Sequence, residues 1–191
     1  MKDHIKKEIR IVAFDDCSFK KSDKEVLLVG PVFRGGQFID GLLSTKIKKD
    51  GLDATQKIAS AINRSSHKGQ LSVIMLDGIT FGGFNIVDIK KLHKKTGLPV
   101  VVVLKNKPDL RVFRATIKHL FGRSRYGNAE ERLENLDKAG SILLSGNVRF
   151  QVAGCSVDQA ERLLRLTSTR SNIPEPVRVA HLIASGLRAS K

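Results

Sequence analysis

The sequence predicts an α/β fold on a mixed sheet, and two observations carry the prediction. Three β patterns near the N-terminus are joined by short polar or glycine-rich turns, the order of an antiparallel meander. After residue 50 the pattern changes to alternating helix and strand, the signature of parallel crossovers. In order, EIRIVAF (8–14) alternates and then turns apolar, giving the first strand. KKSDK (20–24) is a turn before EVLLVGPVFR (25–34), and GGQ (35–37) is a second before FIDGLLSTKIK (38–48). In DATQKIASAINRSS the residues Ile58, Ala59, Ala61 and Ile62 recur at helical spacing, with Asp53 or Thr55 placed to cap.

LSVIML (71–76) reads as a strand buried on both faces. NIVDIKKLHKK (85–95) is expected as a helix with Asn85 as its N-cap and Gly97 as its stop. LPVVVVLK (98–105) is a β-branched strand, and Pro108 opens PDLRVFRATIKHLF as a helix. The polar stretch GRSRYGNAEERLENLDKAG reads as a loop leading into a helix, and SILLSGNVRFQVAG as one or two short strands. SVDQAERLLRLTST is a helix capped by Ser156, and PEPVRVAHLIASGL is a final one. With no internal repeat, low-complexity tract or linker, residues 1–191 read as one domain.

Such an element order is that of the ribonuclease H-like fold, a five-stranded mixed sheet with flanking helices and a C-terminal helical extension. Right-handed crossovers place the fourth strand beside the first and parallel to it, giving the spatial order 3-2-1-4-5. The first strand ends in Phe14-Asp15-Asp16 and the fourth in Leu76-Asp77. Asp15 and Asp77 are therefore expected at adjacent strand ends, about 5 Å apart, in the crevice where α/β sheets collect ligands. Two carboxylates there repel each other unless a cation intervenes, and hard oxygen ligands in an open site suit Mg²⁺ or Mn²⁺. Taken singly, each aspartate is equally a turn or capping residue.

Lysine and arginine number 34 against 19 acids, a formal charge of +15 with pI near 10.1. An excess of that size suits a polyanion, and nucleic acid, DNA or RNA, is the expected partner. No apolar run approaches the ~20 residues of a membrane span. MKDHIKKEIRIVAF runs straight into a strand pattern without a signal peptide, and two cysteines make no disulfide framework; a cytoplasmic protein is expected. Composition leaves the oligomeric state open.

Strand-ending Asp15, LDG at 76–78, GLPVVVVLK at 97–105 and IPEPVRVAHLIASGL at 173–187 together resemble endonuclease V. More closely, LDGITFGGFNIVDIKKLHKKTGLPVVVV is similar to an archaeal family beside it, of the UPF0215 type, and the resemblance spans nearly the whole chain. The resemblance implies a nuclease that cuts near deaminated bases with Mg²⁺ held by carboxylates. By motif, Asp15 is the first-strand ligand, Asp77 the fourth-strand ligand, and Lys105 the lysine facing the scissile phosphate. Three departures accompany it. The ligand-bearing glutamate after the third strand is absent, leaving Asp50 and Asp53 as candidates. The late Gly-His pair aligns with Gly154-Cys155, and the Pro-Tyr-Ile-Pro wedge is replaced by GPVFRGGQFIDG with Phe33 and Phe38. They imply a metal core that is kept and a damaged-base recognition that is not.

The remaining residues divide as follows. Asp53 is expected to cap a helix, whereas Asp50 stands as the third metal candidate with Asp15 and Asp77. Cys155 reads as a small structural residue and His181 as a packing histidine on the apolar face of the last helix. Glu175 and Arg178 are spaced to pair across one helical turn. Arg111, Arg114, Lys118, Arg123 and Arg125, interleaved with Phe121 and Tyr126, form either a solvated face or a single-strand contact. The leading expectation is a metal-dependent nuclease in which Asp15, Asp77 and Lys105 carry the chemistry. The alternative is a non-catalytic nucleic-acid-binding protein that keeps the fold, and behind it a protein-interaction module.

Overall fold

The computed structural model describes residues 5–122 and 128–187. Three strands, β1 (Arg10–Asp16), β2 (Glu25–Arg34) and β3 (Phe38–Lys48), form the antiparallel meander, with Arg34 opposite Arg10 and Lys48 opposite Glu25. Helix α1 (Ala54–Arg64) leads to β4 (Val73–Asp77), which lies parallel to β1 with Phe14 level with Leu76. After a two-stranded hairpin, β5 (Thr80–Phe81) and β6 (Asn85–Ile86), α2 (Ile89–Thr96) crosses to β7 (Val100–Leu104), parallel to β4. Helices α3 (Leu110–Phe121) and α4 (Ala129–Lys138) precede β8 (Leu143–Ser145) and β9 (Val148–Ala153), and α5 (Val157–Thr167) and α6 (Glu175–Gly186) follow.

The sheet order is β3-β2-β1-β4-β7-β9-β8. Its first five strands have the predicted 3-2-1-4-5 arrangement, so the ribonuclease H-like core is as expected. SILLSGNVRFQVAG supplies both remaining strands, and β9 extends the sheet antiparallel to β7, making it seven-stranded. Side chains of one strand alternate between two apolar layers. Val12 and Phe14 pack with Ile58, Ile62, Leu92 and Ile117 on the α1–α4 face. Ile11, Ala13, Met75 and Val103 pack with Ala160, Leu163, Val177 and Ala180 on the α5–α6 face.

One element departs from expectation. The helix expected over 85–95 begins only at Ile89, where Asp88 caps it by accepting from Lys91 N at 2.8 Å, and it ends as expected at Gly97. The stretch before it is the β5–β6 hairpin, turned by Gly82 and Gly83 at φ +53° and +91°. A Cβ at Gly83 would run into Asp50 Oδ1, which the Phe84 N–H holds in place, so the turn favours glycine for space as well as for its backbone angle. Asn85 serves a different helix. Its Oδ1 accepts from Ala54 N at 3.0 Å, the first residue of α1, while its Nδ2 donates to Lys48 O and Asp53 Oδ1. Asp53 sits at the N-cap position of α1 but makes no side-chain cap bond, and accepts instead from Lys48 N. The capping role expected of Asp53 thus passes to Asn85.

Candidate metal and phosphate site

The site follows from strand parity. Asp15, Asp77 and Lys105 each stand two residues beyond an inward residue of the α5–α6 layer: Ala13, Met75 and Val103. Period-two alternation therefore sends all three side chains to that face, at the carboxyl ends of β1, β4 and β7. Helix α6 supplies the fourth group. Its buried stripe is Val177, Ala180 and Ala184, so His181 lies one residue off the stripe. Among the described residues Asp15, Asp77 and His181 form one group whose nearest ligand atoms are all within 4.8 Å of one another.

His181 Nδ1 is 2.8 Å from Asp15 Oδ2 and 3.6 Å from Asp77 Oδ2, and Lys105 Nζ donates to Asp77 Oδ2 at 2.7 Å. The two carboxylates are nearly buried, at 8% and 9% side-chain exposure, but His181 is 53% exposed, so the group opens to solvent on the histidine side. Burial, and then the charge of Asp77, push the Asp15 carboxyl up to about 7, against the hydrogen bond from His181. Asp16 projects to the opposite face, where its Oδ2 accepts from Gly82 N at 2.8 Å; burial raises its pKa as well. The backbone N–H of Asp16 donates to Asp15 Oδ1 at 2.8 Å and fixes that carboxylate from behind.

Two nearly buried carboxylates side by side, with the Asp15 carboxyl raised by burial and by the charge of Asp77, are a site short of positive charge. Their donor set, two carboxylates and an imidazole with open solvent on one side, fits a divalent ion such as Mn²⁺ or Mg²⁺. Other expected residues are placed elsewhere. Asp50 does not join the group: its Oδ1 accepts from Phe84 N at 3.0 Å and its backbone N–H donates to Gly82 O, so it braces the β5–β6 hairpin. Cys155 follows β9, whose Ala153 lies opposite Val100 at the beginning of β7, so Gly154-Cys155 is at the far end of the sheet. The 35–37 turn with Phe33 and Phe38 is also at that far end, beside Arg10, and cannot act as a wedge at Asp15.

His181 is the correction of most consequence, since it was expected to pack in the core. Arg111, Arg114 and Lys118 are on α3, over the α1–α4 face; Arg114 is ion-paired with Asp137, and Arg111 and Lys118 are exposed. Arg123 and Arg125 lie outside the described residues. One residue past Asp77 on that same face begins a cavity of about 400 Å³, lined by Gly78, Ile79, Leu104, Pro108 and Phe113 among others.

A five-strand core of this order with acids at the first and fourth strand ends defines a ribonuclease H-like protein. The family model described as endonuclease dU matches residues 7–188, and the chain belongs to that family. A UPF0215 protein of Methanosarcina mazei is 47% identical over 190 residues, covering 96% of this chain and 93% of the relative. The crystal structure of a protein of unknown function from Archaeoglobus fulgidus has a TM-score of 0.86 at 39% identity, covering 95% of this chain and 99% of the other. Ciona intestinalis endonuclease V, in complex with a 24mer DNA containing an inosine followed by a ribo-adenosine, has a TM-score of 0.57. At 14% identity, over 92% of this chain and 84% of that one, the second likeness is one of fold.

Proposed function

We propose that this chain, as a single domain, is a metal-dependent nuclease that cleaves phosphodiesters of DNA or RNA. One observation carries the reading: Asp15, Asp77 and His181 meet within 4.8 Å at the strand ends, with Lys105 on the same carboxylate. Asp15, Asp77 and His181 would hold the ion; the imidazole in the set favours Mn²⁺ over Mg²⁺. When bound, such an ion supplies an activated water and charge neutralisation at the leaving oxygen. Lys105 stays on the Asp77 oxygen and presents its ammonium beside the scissile phosphate. The Asp16 N–H keeps Asp15 oriented, and the exposed side of His181 leaves room for the substrate strand. The neighbouring cavity of about 400 Å³, mostly apolar with Thr80, Ser141 and Gln151 at hand, has the size and character to take a base turned out of its stack.

The test is cleavage of labelled oligonucleotides, single-stranded and duplex, with and without dU, in Mn²⁺, Mg²⁺ or EDTA. Cleavage is expected with Mn²⁺ and its loss with Asp77→Asn, which removes the charge while nearly keeping the shape. Persistence of full activity in Asp77→Asn would place the chemistry elsewhere. Tight binding without cleavage by the wild-type chain would favour the non-catalytic reading.

A further inference from the structure

The sheet is covered unevenly on the face that carries the carboxylates. Helix α6 packs Ala184 and Ile183 against Val29 and Leu27 of β2, and stops there. Beyond it the edge strand β3 keeps its residues of that face in water: Leu42 is 51% exposed, and Ser44 and Lys46 are exposed too. Their register fixes the side they occupy, because Leu42 is opposite Pro31, Ser44 opposite Val29 and Lys46 opposite Leu27. A trough therefore runs along α6, with β3 as its floor.

Its two ends are chemically distinct, and the near one lies toward the site. At the far end an open cavity of about 740 Å³ is lined by Phe38, Ile39, Arg170, Arg178 and Val179 among others, with Phe38 56% and Ile39 55% exposed. Glu175 holds Arg178 at 2.5 Å and lies 4.0 Å from Arg170, so two arginines share one carboxylate and a positive charge is left over. At the near end Lys46 stands opposite Leu27, one residue from the Leu28 that pairs with Asp16. Arg178 precedes His181 by three residues, one turn along the same side of α6. The eight residues from Ile39 to Lys46 span about 24 Å, which accommodates roughly 4 nucleotides, the short end of single-strand site sizes.

Exposed aromatic and aliphatic side chains between cationic ends suit splayed bases with flanking phosphates. A second copy of this chain would bring like charges together at both ends, on a molecule already at +15. We infer that this trough binds single-stranded nucleic acid continuous with the cleaved phosphate, Phe38 stacking a base and Arg170, Arg178 and Lys46 meeting phosphates. The inference rests on the nuclease reading for the placement of that phosphate.

Fluorescence anisotropy with labelled single-stranded 4-mers and 12-mers in EDTA, between 50 and 200 mM salt, tests it, with wild-type cleavage in Mn²⁺ measured in parallel. Phe38→Ala is expected to weaken the 12-mer about tenfold, since a base–aromatic stack is commonly worth that much. Lys46→Glu is expected to lower the salt slope by about 0.7, one phosphate contact. The same reversal at Arg111 and Lys118 is expected to cost less. Both positions are exposed, and circular dichroism verifies that the variants fold. Unchanged 12-mer affinity and slope in both variants overturns the trough, and if the wild type still cleaves, the nuclease reading survives it. A wild-type dimer that Phe38→Ala dissociates, without oligonucleotide binding, also overturns it and makes β3 a self-association edge.

Discussion

His181 and Asp15 are 166 positions apart in the chain and 2.8 Å apart in the fold, and both are better suited to a cation than to stability. Asp15→Asn removes a buried charge beside Asp77 while keeping an acceptor for the Asp16 N–H. The metal-free variant is expected to melt at a higher temperature than the wild type and to lose the rise in Tm that Mn²⁺ produces. In the wild type, Mn²⁺ at a hundredfold its Kd should add about 2.7 kcal/mol; differential scanning fluorimetry reads both effects. The aspartates were legible in the sequence because each ends an apolar run, so strand parity and parallel pairing place them without further knowledge. His181 was not. Between Ala180 and Leu182 it has the look of a core neighbour, and only the angle of α6 over β1 turns it to the carboxylates. The exchange of roles between Asp53 and Asn85 escaped for the same reason: local pattern names a residue able to cap, but the helix it caps is chosen by contacts 31 residues away.

At the scale of elements, two devices fix parts of the fold that periodicity does not specify. Arg132 of α4 is 4% exposed and donates to three backbone carbonyls, of Asp50, Gly51 and Phe84, with its guanidinium 4.1 Å above the Phe121 ring. It binds the 50–51 turn to the β5–β6 hairpin, whose Gly82 N–H in turn holds Asp16. Arg132→Met strands those acceptors, each costing up to about 3 kcal/mol, and is expected to lower stability by roughly 3 kcal/mol in urea unfolding after partial relaxation. Arg132→Lys should recover part of it. The second device is Asp40 on β3, which receives Arg10 of β1 at 2.8 Å and Arg34 of β2 at 2.9 Å and so clips three strands. Hydrogen bonds from Arg34 and then Arg10 hold its carboxyl at about 2, below its usual value. A depressed acid stabilises the folded state above its unfolded pKa near 4, and that stabilisation fades as pH falls toward 2. Asp40→Asn is accordingly expected to melt below the wild type at pH 7, with the gap closing between pH 4 and 2. Neither device could be read in advance, because a charge spaced for solvent looks the same in sequence as one spaced for a distant carbonyl or carboxylate.

For the whole molecule, the β-β-β-α-β-α-β order determined the core topology, and right-handed crossovers left one sheet order to draw. What topology did not disclose was which surface the excess charge serves. The sequence pointed to α3, yet Arg114 is spent on Asp137 and α3 covers the face away from Asp15 and Asp77. Nucleic-acid binding is expected to weaken by about 0.7–0.9 log units per log unit of salt for each phosphate contacted, and a binding isotherm series in KCl measures the number of contacts. A slope near zero would make the charge of +15 irrelevant to binding.

The long separation of Asp15 from His181 has a further meaning while the chain is being made. At 5–20 residues per second, the 166 positions between them take roughly 8–33 s to translate. Through that interval the nascent polypeptide lacks the histidine that joins Asp15 and Asp77 in one group. The group of Asp15, Asp77 and His181 is thus complete only when α6 has emerged and docked.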